Sequence, residues 1–199
     1  MPKQVDHEQR RNQISEALWR IAAERGLEAV SMREVAAAAG VSIGLVQHYF
    51  ASKDELVVHA TSHLRRRLDE RIRRGVAAVP EPVTPPAALR ALLTALLPAD
   101  PESRAETLVG IAVFIRALND PALADRYRQG RAQLTAAVAD LLGRAAPAAG
   151  ESSGEEAELA ADTLLALVDG LASDLLLGHL SPERAQRILD RQLTNALGR

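Results

Sequence analysis

Between Ser31 and Lys53 the chain carries polar side chains of the types that exchange hydrogen bonds with bases and phosphates, spaced so that short helices would present them together. Ser42 can cap a short helix over Ile43-Gly-Leu-Val-Gln-His-Tyr49 and also donate to a phosphate. The outward residues of that helix are Ile43, Leu45, Gln47 and His48. Glutamine can bond bidentately to adenine in the major groove, histidine carries further hydrogen-bonding groups, and Ile43 and Leu45 can touch a thymine methyl. Gly44 lets the backbone come close to a nucleic acid. The fork of Arg33 suits guanine O6 and N7, while the Tyr49 hydroxyl and the Lys53 ammonium suit phosphates. Each has a plainer reading too: Tyr49 and Phe50 can be core aromatics, Gln47 can be a weak phosphate contact, and Arg33 can be a solvated charge.

Elsewhere the chemistry is sparse. There is no cysteine, so disulfides, thiolate zinc sites and cysteine nucleophiles are excluded. No nucleophile elbow, phosphate loop or His-Glu metal motif occurs, so no catalytic residue and no cofactor is assigned. His59 and His63 stand four apart, as metal ligands can, but no third ligand is evident and no metal site is assigned. The arginines at 65–67, 71, 73 and 74 read as solvated helix faces. Asp169 sits in a leucine-rich segment and calls for a cationic partner or a hydrogen-bonding cavity. Arg116 is the natural internal candidate. Either the two form an internal structural salt bridge or a solvated pair, or one or both line a small-molecule pocket with Phe114 and Tyr127.

The elements that must position these groups are helices. Alanine and leucine make up one third of the 199 residues, only five aromatics are present, and no segment alternates convincingly enough for a strand. Nine helices are expected, three of them in an N-terminal head. One runs from His7 to Arg25 and stops at Gly26. A second follows the capping box Ser31-Met-Arg-Glu34, in which serine and glutamate satisfy each other's backbone donors, and ends at Gly40. The third is capped by Ser42; two short helices joined by a glycine-containing turn make a helix-turn-helix candidate. A long fourth helix starts at Ser52-Lys-Asp-Glu55 and reaches towards Val79. The prolines from Pro80 to Pro86 break the pattern, and helix resumes at 87–97. Asp100-Pro101 and Asp120-Pro121 each start another helix. Leu108-Val-Gly-Ile-Ala-Val-Phe-Ile115, apolar on every side, is expected to be the buried centre of the C-terminal body. Residues 146–154 read as a loop, followed by helices 155–178 and 182–197.

Net charge is −2 overall, but residues 1–75 carry +3 and the remainder −5. The basic half holds the helix-turn-helix. With no apolar leader and with acidic residues interrupting the most apolar segment, a cytoplasmic chain without a membrane span is expected.

Residues 39–56, Ala-Gly-Val-Ser-Ile-Gly-Leu-Val-Gln-His-Tyr-Phe-Ala-Ser-Lys-Asp-Glu-Leu, closely resemble the signature of the TetR family of bacterial transcription repressors. The match extends upstream through Ser31, Val35 and Ala36. Ala117-Leu-Asn-Asp-Pro121 and Leu167-Val-Asp-Gly-Leu171 look like the C-terminal domain of the betaine-pathway (BetI-type) branch. Gln47 departs from the tyrosine many members carry, as a polar residue also does in that branch. The resemblance implies an all-α fold, with a DNA-binding head at residues 1–52 and a ligand-binding and dimerisation domain at 53–199. It further implies a homodimer through helices 155–178 and 182–197, a double-stranded operator and a small-molecule effector. It places Arg33 where some members read bases. A helical enzyme or a protein-binding adaptor is the alternative.

Overall fold

The computed structural model describes residues 2–27, 29–145 and 154–198, with side chains from His7 onward; of the loop expected at 146–154, residues 146–153 lie outside them and Gly154 opens a helix. Among the described residues there are nine helices and no strand: α1 (Pro2–Arg25), α2 (Met32–Ala39), α3 (Ile43–Tyr49), α4 (Lys53–Ala77), α5 (Pro85–Ala95), α6 (Pro101–Ala117), α7 (Pro121–Ala145), α8 (Gly154–Leu177) and α9 (Pro182–Ala196). The expected elements are present with shifted ends. α1 starts at Pro2 rather than His7. α5 starts inside the proline stretch, because Thr84 caps it and prolines fill the first positions, where a missing N–H costs nothing. Asp100 Oδ1 accepts the N–H groups of Glu102 and Ser103, both at 2.9 Å, and Asp120 Oδ1 accepts that of Leu123 at 3.1 Å. These are the caps expected from each Asp-Pro pair.

The chain divides into two compact units, Met1–Arg67 with Arg104–Ala124 and Leu68–Ser103 with Asp125–Arg199. The first unit therefore reaches past residue 52, where the sequence suggests a boundary, and takes in the start of α4 and most of α6. Its core brings Ile14 and Leu18 of α1, Val35 of α2, Val46 of α3, Phe50 and Leu56 together with Val109 and Val113 of α6. This corrects the expectation for Leu108–Ile115. Val109, Val113 and Ala117, four residues apart, continue the buried side of α6 that Ser103 and Glu106 begin, while Phe114 is 43% and Ile115 58% exposed. A run that is apolar all round suggests cover all round, but this helix packs by one side within its unit.

In the second unit Leu164, Leu165, Val168, Leu171 and Leu175 of α8 pack with Leu89 and Leu93 of α5, Val138 and Leu142 of α7, and Ala185, Leu189 and Leu193 of α9. Each buried leucine contributes about 1.5–3 kcal/mol. A bidentate pair on the rim, Arg90 Nε and Nη2 to Asp190 Oδ1 and Oδ2 at 2.6 and 3.0 Å, ties α5 to α9. Most of the α8 leucines are thus covered within one chain. The uncovered side runs through Leu159, Thr163, Ala166, Gly170, Ser173 and Leu177.

Candidate nucleic-acid interface

Ser31 fixes where α2 begins. Its Oγ accepts the Glu34 N–H at 3.2 Å, and Glu34 Oε2 accepts the Ser31 N–H at 2.9 Å, closing the expected capping box. The Ser31 hydroxyl and the Arg25 guanidinium, 2.8 Å from Glu34 Oε1, hold the Glu34 carboxyl down at a pKa of about 2. At the other end Gly40 takes the left-handed conformation, φ 68° and ψ 32°, which lets its N–H reach back to the last carbonyls of α2. Two further carbonyls of that end are satisfied from α1: Gln13 Nε2 donates to Ala39 O at 2.9 Å and Arg20 Nη2 to Ala38 O at 2.8 Å. The turn is locked on both sides.

Two residues after Gly40, Ser42 Oγ accepts the Leu45 N–H at 3.1 Å and starts α3. Serving as acceptor leaves its own proton available to donate. Val46 is buried and anchors the helix, and Phe50, fully buried at the C-cap, closes it. Ser42, Ile43, Gly44, Gln47 and His48 are exposed, and Leu45 and Tyr49 are half-buried. Arg33 is exposed near the start of α2, and Lys53 is half-buried at the first position of α4. The outward set expected from the sequence is brought to one capped helix and its flanks. A Cβ on Gly44 would meet only Ser42 Oγ, at 3.9 Å. Among the described residues nothing requires a glycine there.

Two residues of α1 escape the sequence reading. The Tyr49 ring is edge-on to His48 of its own helix, with centroids 5.3 Å apart, and to His7 of α1, at 5.6 Å. Arg11 lies over the Phe50 ring at 4.6 Å and donates to the Tyr49 carbonyl at 3.4 Å. Their four-residue spacing is the available signal, though it does not say what they meet. Tyr49 and Phe50 differ in degree: Phe50 is fully buried in the core, and Tyr49 is half-buried, packed against the core's edge.

His59 and His63 both face α1. His59 Nδ1 is 2.9 Å from Ser15 Oγ, and the His63 ring stacks on Trp19 at 4.8 Å. Burial pushes both imidazoles below their usual range. Among the described residues no group of three or more His, Asp or Glu could hold a metal ion, and no helix is long and apolar enough to cross a membrane.

The suggested pocket residues are distributed differently from expectation. Asp169 is exposed and bonded to Arg131 of α7 at 2.8 Å, and Arg116 is instead paired with Asp54 of α4. The reason is helical phase: Asp169 lies on the polar edge of α8 with Asp162, which accepts from Thr135 at 2.9 Å, and α7 supplies the facing residues. Tyr127, one turn before Arg131, is 46% exposed, and burial together with the Asp169 carboxylate raises its pKa. Phe114 and Arg116 belong to the first unit, Tyr127 and Asp169 to the second.

Comparison with known proteins bears on the whole length. Residues 14–60 match the family described as bacterial regulatory proteins, tetR family, and residues 85–198 match the BetI-type transcriptional repressor C-terminal domain. The chain is 31% identical to the HTH-type transcriptional regulator PksA of Bacillus subtilis, over 95% of this chain and 90% of that protein. It is 32% identical to the BetI regulator of Burkholderia cenocepacia, over 86% and 84%. A crystal structure of a transcriptional regulator from Rhodococcus superposes with a TM-score of 0.80 at 36% identity, covering 94% of this chain and 96% of that one. A regulator from Saccharomonospora viridis, crystallised with choline, shares the fold at a TM-score of 0.76 and 24% identity, covering 92% and 95%. With both halves matched and two short capped helices joined by a glycine-containing turn, the chain belongs to the TetR family of bacterial transcriptional regulators, with a BetI-type C-terminal domain.

Proposed function

We propose that the chain works in the cytoplasm, without catalysis, as a homodimer on a near-palindromic operator, and that a small molecule bound by the C-terminal unit releases it. One observation carries the DNA reading. On α3 every residue the fold does not use is exposed on one short helix, and Gly44 is smaller than the fold requires. In this reading Gln47 and His48 meet base edges, Ile43 and Leu45 meet thymine methyls, and Arg33 meets a guanine. Ser42, Tyr49 and Lys53 contact phosphates, the backbone approaches at Gly44, and Ser31 sets the start of α2.

The uncovered side of α8 supports the dimer. Thr163 and Ser173 donate their hydroxyls to Leu159 O and Asp169 O of the same helix, at 2.8 and 3.0 Å, so the stripe presents small and internally satisfied groups between two exposed leucines. A Cβ on Gly170 would meet nothing within 4 Å. Close approach by a second copy of α8 accounts for a glycine that one chain alone does not need. A dimer would set its two recognition helices about one DNA turn apart, roughly 34 Å.

For the effector, Tyr127, Arg131 and Asp169 offer an aromatic ring beside a charged pair in the second unit. One half-exposed aromatic makes a poor cage for a quaternary ammonium. A moderately apolar molecule with one hydrogen-bonding group fits these residues better than choline. Release requires that it bind the DNA-incompetent state more tightly.

The test is selection of DNA from a random library, followed by affinity against salt for wild type, Gln47→Ala and Lys53→Ala. A palindrome should emerge, with the lysine change weakening all sequences and flattening the salt slope, and the glutamine change relaxing one position. No enrichment from protein refolded free of bound small molecules would refute the reading and favour an adaptor.

A further inference from the structure

α6 is tied to α4 at two points inside the first unit. Near its start, Glu106, a buried carboxylate, accepts from Arg67 Nε at 2.5 Å. At its end, Arg116 pairs with Asp54 in the first turn of α4. The order is reversed, so the two helices run antiparallel, and the ties stand about 20 Å apart along α4. Val109 and Val113 lie between them, and Ala117 just beyond Arg116, in the same core as Val46, Phe50, Leu56 and Val57. The Arg116 side chain is 19% exposed and that of Asp54 72%. The carboxylate belongs to the residue that follows Lys53 in the first turn of α4, and its partner comes from the last turn of α6.

We propose that the Arg116–Asp54 pair is a positioning element for operator reading. It fixes the first turn of α4, and with it Lys53 and the end of α3 at Phe50, against α6. Neither residue touches DNA in this assignment. The pair sets the angle at which the Lys53 ammonium and the Tyr49 hydroxyl meet phosphates while α3 lies in the groove.

This inference rests on the operator reading above, and a double-mutant cycle separates the two. Affinity for the selected operator and for a scrambled duplex is measured at one salt concentration for wild type, Asp54→Asn, Arg116→Gln and the double variant, with thermal unfolding recorded for each. If the pair positions the head, each single change lowers operator affinity about fivefold. The double change costs no more than either, scrambled DNA is bound nearly as before, and Arg116→Lys recovers part of the loss. If the two charges act on DNA directly, the changes are additive: Asp54→Asn tightens both duplexes and Arg116→Gln weakens both. Additivity, or unchanged operator affinity in both single variants, overturns the inference. Failure of wild type itself to distinguish operator from scrambled DNA overturns the operator reading instead. Should Arg116→Gln fail to fold, Asp54→Asn and Arg116→Lys still decide, since the exposed Asp54 can lose its charge without leaving a buried gap.

Discussion

Replacing Gly44 with alanine should raise stability and lower DNA affinity in the same protein. Gly44 is exposed at the second position of α3, and its φ is not in the left-handed range. An added Cβ would meet only Ser42 Oγ, at 3.9 Å, an ordinary contact. The folded state therefore offers no steric penalty, and the unfolded chain loses freedom. Glycine to alanine within a helix is worth about 0.5–1 kcal/mol. So close to the helix start the gain should fall near the lower end, about 0.5 kcal/mol, or roughly 1–2 °C in unfolding temperature. At the DNA surface the sign reverses. A backbone amide bonds a phosphate oxygen at about 2.9 Å, whereas a methyl carbon holds its neighbours at about 3.5–4.0 Å. Losing one such charge-assisted bond costs about 1.5–3 kcal/mol per recognition helix, at least tenfold in affinity. Calorimetry gives the first quantity and titration of a fluorescent operator the second. A Gly44→Ala protein that is more stable and binds the operator as tightly as wild type would refute the role assigned to this glycine. One that is less stable would refute the reading of its surroundings.

The stability of the first unit should fall as the solution is acidified below neutrality. Burial holds His59 and His63 below 6.5, so the native state binds fewer protons than the unfolded chain. Their contribution is whole above pH 6.5 and declines as pH drops from there towards the lowered native values. Urea unfolding at about pH 7.5 and about pH 5.5 checks the sign, and equal or greater stability at the lower pH would contradict it. Gly170→Glu should leave the monomer folded, since the position is open, while placing a charge in the proposed α8 interface. Sedimentation should then show monomers at concentrations where wild type is dimeric, and an unchanged dimer would mean that the contact lies elsewhere.

The helix-turn-helix is legible from residues 31–55 because its signals are local. A serine that caps a helix, a glutamate three residues on, and a glycine that must turn left-handed act over one or two turns of backbone. The same holds for the Asp-Pro starts of α6 and α7, and the outward residues of α3 follow from its period once Val46 is known to point inwards. Thr84 shows the limit even of local signals: the prolines after it read as a break yet lie within the start of a helix.

What only the tertiary structure decided is which face meets which. The period of α6 aligns Val109 with Val113, but nothing along the chain says that this stripe completes the core around Phe50 rather than the C-terminal body. Asp169 calls for a cation, and Arg116 is a natural candidate in sequence because it ends an apolar run. Packing gives Asp169 to Arg131 and Arg116 to Asp54, pairs separated by 38 and 62 positions along the chain. His7 against Tyr49 and His59 against Ser15 are of the same kind. Capping and periodicity are properties of one helix and can be read from its residues, whereas ion pairs and ring contacts between helices depend on distances that exist only after the chain has packed.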